Sequence, residues 1–153
     1  DFDADRTVWV TSQERMKMRR PHRVPLVPQS RTIIDNLDLI RAQGTDHVFG
    51  KPRSKTGVIS ENAALNLAKR FDPGITMHGF RSSFRTWARK QGRYDHDCME
   101  LALAHEKDAL TAAYERDDLL EERRPLMADW ADFVTAGEGP VSLRARVKGR
   151  DGP

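Results

Sequence analysis

The sequence predicts an α+β fold that is mainly helical, with a small antiparallel β ribbon packed beside a helical bundle. Three observations lead there. β-branched and aromatic residues concentrate near the start, in Thr7-Val8-Trp9-Val10 and His22-Arg23-Val24-Pro25-Leu26, with Arg19-Arg20-Pro21 between them as a basic turn. From Pro28 onward apolar residues recur at helical spacing and are separated by Gly, Pro, Asn and Asp. Finally, 153 residues with 38% hydrophobic content suffice for one core and leave a very polar surface.

The two early stretches predict a two- or three-stranded antiparallel ribbon. Pro28 suits the first turn of a helix, and Ile33, Ile34, Leu37 and Ile40 give it an apolar stripe that ends before Gly44. His47-Val48-Phe49 reads as a short strand, and Gly50 to Gly57 as a loop with three basic residues. Ser60 is placed to cap a helix whose buried face is Ala64, Leu67, Ala68 and Phe71, closed by Asp72-Pro73-Gly74. Thr76 caps the next helix, which runs to Gln91 and stops at Gly92. Asp95 or Asp97 opens a short helix through Met99, Ala102 and Leu103 that delivers His105, and a further helical segment carries Tyr114. Leu119, Leu126 or Met127, Trp130 and Val134 mark the stripe of a last helix. Pro125 removes a bond to the Glu121 carbonyl at a cost of about 3 kcal/mol, which predicts a kink or break near Arg124. Residues 1–136 are expected to form the domain, and 137–153, with Arg144, Arg146, Lys148 and Arg150 and almost no apolar residues, a disordered basic tail.

The chain is organised around the helix that begins at Thr76. Its residues Phe80, Phe84, Trp87 and Ala88 share one face, while Arg81, Arg85 and Arg89 form a second stripe at i, i+4, i+8 that suits a polyanion. The net charge is only +3, but it is unevenly spread. Lys51 to Arg93 holds ten Lys and Arg against two acids, Asp95 to Glu138 thirteen acids against four, and Arg15 to Arg31 six Lys and Arg with no acid. The basic part is expected to face phosphate, through Arg15, Arg19 and Arg20 on the ribbon and Arg85 on the helix. The single Cys98 excludes an internal disulfide, no Cys/His spacing suits structural zinc, and no apolar run approaches the ~18 residues of a membrane span. A reducing cytosol fits that composition.

Taken together, His78-Gly79-Phe80-Arg81, Leu103-Ala104-His105, Ala113-Tyr114, the run Glu122-Arg123-Arg124 with Leu126-Met127 and Trp130-Ala131, and the hairpin Glu14 to His22 resemble the catalytic half of the tyrosine recombinases. The resemblance is to the integrases of phages and genomic islands, and it runs over nearly the whole chain. It implies a tyrosine-recombinase catalytic-domain fold and site-specific DNA recombination, the integration or excision of a mobile element, by cleavage and rejoining through a phosphotyrosyl intermediate. On that resemblance Tyr114 is the nucleophile, Arg81 the second of the family's two arginines, Lys17 the hairpin lysine, and His78 and His105 the two histidine positions. It implies no cofactor and no metal, double-stranded DNA attachment sites as substrate, a tetrameric synapse on DNA, no membrane association, and a bacterial cytoplasmic, nucleoid-associated location.

In one main respect the sequence departs from the family, and Pro125, lying where the family pattern continues a helix, is a smaller departure. The first arginine, expected on a helix before the strands, has no counterpart, because Arg6 is the only upstream arginine and lacks that context. The chain therefore reads as an N-terminally truncated fragment, inactive or nearly so when isolated. Two alternatives stay open at this level: a DNA-binding or assembly module without catalysis, and a type IB topoisomerase-like enzyme. Tyr114 with His105 argues against the first, and the segment from Glu122 to Ala131 against the second.

Overall fold

The computed structural model describes residues 1–16, 19–40, 47–50, 57–60, 62–105 and 117–136. Strands β1 (Val8–Thr11) and β2 (His22–Pro25) pair antiparallel, from Val8 opposite Pro25 to Thr11 opposite His22. Pro25 sits at a non-hydrogen-bonded position, where its missing amide hydrogen costs nothing, and the Leu26 amide beyond it still donates to the Thr7 carbonyl at 2.8 Å. An isolated bridge between Phe2 and Trp9 adds a partial third strand. Asp3 ties that lead-in together by accepting from the amides of Thr7 and Val8 at 2.7 and 2.8 Å and from the Thr7 hydroxyl at 2.6 Å.

The helices are α1 (Pro28–Ile40), α2 (Ala63–Ala68), α3 (Met77–Gln91), α4 (His96–Ala102) and α5 (Leu120–Thr135). Phe84 and Ala88 of α3, Cys98 and Met99 of α4, Leu103 just beyond it and Leu126 of α5 make one buried cluster, flanked by Trp87, Tyr94, Met127 and Trp130. The Phe84 and Trp130 rings meet edge to face at 5.4 Å, the geometry their quadrupoles favour. Tyr94 and Arg93 reach across from the α3–α4 turn to the carboxylate of Asp129 on α5. β2 lies along α5, so the ribbon sits beside the helical body. The architecture is α+β and mainly helical, as the residue pattern predicts.

α3 follows its local signals at both ends. Thr76 accepts from the amide of Gly79 at 3.0 Å, and Gly92 closes the helix with φ 68°, a conformation that favours glycine. A Cβ at Gly79 would lie 3.2 Å from the Thr76 hydroxyl oxygen, so a larger residue there would crowd the cap.

Elsewhere the pattern misleads. α2 is a six-residue helix that starts after Asn62 rather than Ser60, and Leu67 and Phe71, assigned to its buried face, are 56% and 74% exposed. Their periodicity is real, but no described element lies over it. Phe80 and Val134, also assigned to buried stripes, are half exposed for the same reason. His47–Phe49 makes no strand; Gly50 and Val58 form one isolated bridge. α5 runs unbroken through Pro125. Glu121, whose carbonyl loses its partner, is exposed to water, while Arg123 and Leu126 on either side are pinned in the interior at 1% and 0% exposure. Burial of that face outweighs one lost bond. The expected tail, 137–153, and most of the Gly50–Gly57 loop lie outside the described residues. No described helix is long and apolar enough to cross a membrane.

Candidate active site

Helix α3 presents His78 and Arg81 from its first turns, and both residues are exposed. Arg81 does not simply point to solvent. Its Nη2 donates to the carbonyl of Leu103 at 2.6 Å, which locks the guanidinium against the end of α4 while its other donors stay available.

The end of α4 is a Schellman corner. The amide of His105 donates to the carbonyl of Glu100 at 2.9 Å and that of Ala104 to Leu101 at 3.0 Å. The residue between Leu103 and His105 must then turn left-handed, and Ala104 does so with φ 52°. For a residue with a Cβ that conformation costs about 1–2 kcal/mol, a local strain of the kind held at functional sites. The corner folds His105 back over its own helix, where Nδ1 lies 2.6 Å from Oε2 of Glu100. Oε1 of Glu100 is 2.8 Å from Arg85, and His96 stands 4.0 Å away.

Burial alone would raise the pKa of Glu100, but the hydrogen bond from His105 and the charges of Arg85, His105 and His96 outweigh it and hold the carboxyl below its ordinary value. An ionised carboxylate only accepts, so Nδ1 of His105 carries the hydrogen and Nε2 is the nitrogen left for a ligand. Glu100 was not singled out by sequence reasoning. The available signal is its place five residues before His105, the separation a Schellman corner brings together.

The corner thus joins Arg81, Arg85, Glu100 and His105, with His78 one turn before Arg81 on the same helix. Arg85, expected to face DNA, is paired with Glu100, though 46% of its side chain stays exposed. Arg15, Arg19 and Arg20 are all exposed around the β1–β2 connection, and Arg19 takes a left-handed turn with φ 52°. Lys17 and Tyr114 lie outside the described residues. Tyr94, the other tyrosine, is committed to Asp129. Arg6 is committed as well, to Asp35 at 2.9 Å and Asp38 at 2.5 Å on α1. An open groove among the described residues, lined by Ser82, Thr86, Lys90, Arg93, Trp130 and Phe133, includes neither Arg81 nor His105. The polar cluster lies outside that groove, with His78, Arg81 and Arg85 exposed. Among the described residues no group of three or more His, Cys, Asp or Glu could hold a metal ion.

The chain is 35% identical over 144 residues to prophage integrase IntA of Escherichia coli K12, covering 90% of this chain and 34% of that protein. It is 33% identical over 131 residues to prophage integrase IntZ of the same strain, covering 82% and 32%. With the integrase of enterobacteria phage P4 it shares 31% over 153 residues, covering 88% and 34%. No family model matches the chain, and no solved structure matches it significantly. The chain spans about a third of the length of these relatives.

Proposed function

Because this chain belongs with the phage and prophage integrases by sequence, we propose that it supplies the chemistry of site-specific DNA recombination, through a phosphotyrosyl intermediate. The observation that carries the reading is the bond from Arg81 to the Leu103 carbonyl, which brings the arginine of α3 to the corner that holds His105.

The step balances without an outside energy source. The phenolic oxygen of Tyr114 attacks the scissile phosphorus and forms an O–P bond, and the bond from phosphorus to the 5′ oxygen breaks. The phenolic proton passes to His78, directly or through water, and Lys17 gives a proton to the departing oxygen. Arg81 and Nε2 of His105 bind nonbridging oxygens, whose charge grows in the pentacoordinate transition state. A tyrosine with an unperturbed pKa of about 10 needs that positive field to act near neutrality. Reversal with a different 5′ hydroxyl rejoins the strand and completes recombination between double-stranded attachment sites. The synapse is a tetramer on DNA, and the protein works in the bacterial cytoplasm at the nucleoid.

The test is a nicked DNA duplex containing the recombination site, scored for a denaturant-resistant protein–DNA adduct. Full-length protein should form the adduct, and Tyr114→Phe should abolish it while leaving DNA binding intact. Full adduct from Tyr114→Phe would refute the nucleophile. Residues 1–153 alone should give little or none, since Arg6 does not replace the family's first arginine. Binding should weaken with salt, each neutralised phosphate adding about 0.9 to the slope of log affinity against log salt.

A further inference from the structure

The corner that ends α4 holds one more charged group, which the proposed reaction leaves unused. Glu100 has its two oxygens fixed by partners on different elements. Oε2 lies 2.6 Å from Nδ1 of His105, and Oε1 lies 2.8 Å from Nη2 of Arg85 on α3. The Glu100 side chain is 19% exposed against 40% for His105, so the carboxylate lies deeper than the ring it holds. α3 grips this end of α4 twice, because Arg85 follows Arg81 by one turn and Arg81 donates to the Leu103 carbonyl at 2.6 Å. Arg85 and His96 thus face the carboxylate, and Arg81 stands at the carbonyl two residues before His105.

This geometry imposes a protonation requirement. Nδ1 of His105 donates to Glu100, so a neutral ring has a bare Nε2 that accepts and cannot donate. A phosphate oxygen also only accepts. Nε2 can therefore meet a nonbridging oxygen only when it carries a hydrogen of its own, which makes the ring an imidazolium. A carboxylate on Nδ1 favours that cation, and it keeps the ring from turning to present Nδ1 instead.

We propose that Glu100 is a positioning residue that presents His105 to the scissile phosphate as an imidazolium with Nε2 outward. This rests on the proposed function, since it concerns the state in which one of that reaction's phosphate ligands works. Glu100 touches no reacting atom; it acts through His105.

A second carboxylate held by arginines supplies a control. Asp118, just before α5, receives Nε and Nη2 of Arg23 at 2.7 and 2.5 Å and lies 3.4 Å from Nη2 of Arg123. Arg123 is 1% exposed, and its Nε and Nη2 have no hydrogen-bond partner, so Asp118 compensates a buried charge. These partners lie on β2 and α5, not at the corner.

The experiment follows the rate of adduct formation by full-length protein on the nicked duplex as pH is varied. Glu100→Gln keeps the size and an acceptor but drops the charge, so the cation should be lost at lower pH than in wild type. The deficit of this variant should be small near about pH 6 and grow about tenfold on the alkaline side, the low end of what one adjacent opposite charge does to a titrating group. Glu100→Asp keeps the charge one methylene short and should fall between the two. In a His105→Gln background, which has no ring to protonate, Glu100→Gln should add less than about twofold at any pH. Asp118→Asn should lower the melting temperature without moving the pH profile. A Glu100→Gln deficit that is equal at every pH, or that persists in the His105→Gln background, would overturn the proposal and leave Glu100 a structural tie to Arg85. Wild-type rates for Glu100→Gln throughout, or the same shift from Asp118→Asn, would overturn it too. Full adduct from Tyr114→Phe would instead defeat the proposed reaction, so the two failures are distinguishable.

Discussion

The body formed by α3, α4 and α5 and the stretch around α2 carry similar amphipathic patterns and fold to opposite results. In the body, Phe84, Ala88, Met99 and Leu126 are buried against one another, and the charged groups on its rim are held by named partners. Around α2, Ile59, Leu67, Phe71 and Met77 remain exposed. A stripe of apolar residues states that a face can be buried, but only a second stripe at matching height buries it. Polar side chains are accordingly held in place on the body, Arg81 by the Leu103 carbonyl and His105 by Glu100 at a corner that the core immobilises.

Substitutions test this contrast most severely at Leu126, which has no exposed surface. Leu126→Ala should cost about 2–5 kcal/mol, measured by denaturant unfolding of the chain. A loss below 1 kcal/mol would mean the body is no better packed than α2. Next in size is a functional effect. Arg81→Ala should lower adduct formation by about 10²–10³-fold, as for loss of a preorganised donor at a developing charge, with a modest loss of DNA affinity. An equal loss of binding and cleavage would reduce Arg81 to an ordinary phosphate contact.

A smaller effect separates the held rim charges from the bare surface. Glu100 and Asp118 both have lowered pKa values, so below the ordinary carboxylate range the unfolded chain takes up protons that the folded one refuses. Stability should therefore be complete above that range and decline as pH falls through it toward the folded values. Glu100→Gln should make this acid-side decline shallower, read as unfolding midpoint against pH, and an unchanged profile would mean its partners contribute nothing. Smallest of all, Phe71→Ser at a 74% exposed site should change stability by no more than about 0.5 kcal/mol. A loss like that of Leu126→Ala would break the contrast, because it would show that α2 has a cover.

What was legible in the sequence follows the range of the forces. The caps at Thr76, Gly92 and Asp95 are local chemistry and appear where the residues put them. The ribbon is nearly as local, since its two strands are close in sequence. The partners of Glu100 and Asp118 were not legible. One depends on an alanine accepting a left-handed turn, and the other spans 95 residues. Arg123 is the clearest miss: the sequence reading names it only within the run Glu122-Arg123-Arg124 and does not place it in the core, yet it is the most deeply buried polar side chain described. Pro125 was misjudged for a related reason, because its local penalty was visible and the burial on either side was not.

The aromatic packing gives the two regions different visibility to light. Of the three tryptophans, Trp87 and Trp130 lie with ring centroids 5.2 Å apart and share Phe133 at 5.6 Å from each. Trp9 stands alone on the ribbon at 44% exposure. Indole fluorescence will therefore report the body as a blue-shifted emission, with excitation shared between two rings, and the ribbon as a redder, readily quenched component. From Asp35 to Arg81 the chain contains neither tryptophan nor tyrosine, so rearrangement around α2 passes unseen in the same spectrum. A single emission scan during unfolding can thus time the ribbon against the body while staying blind to the third region.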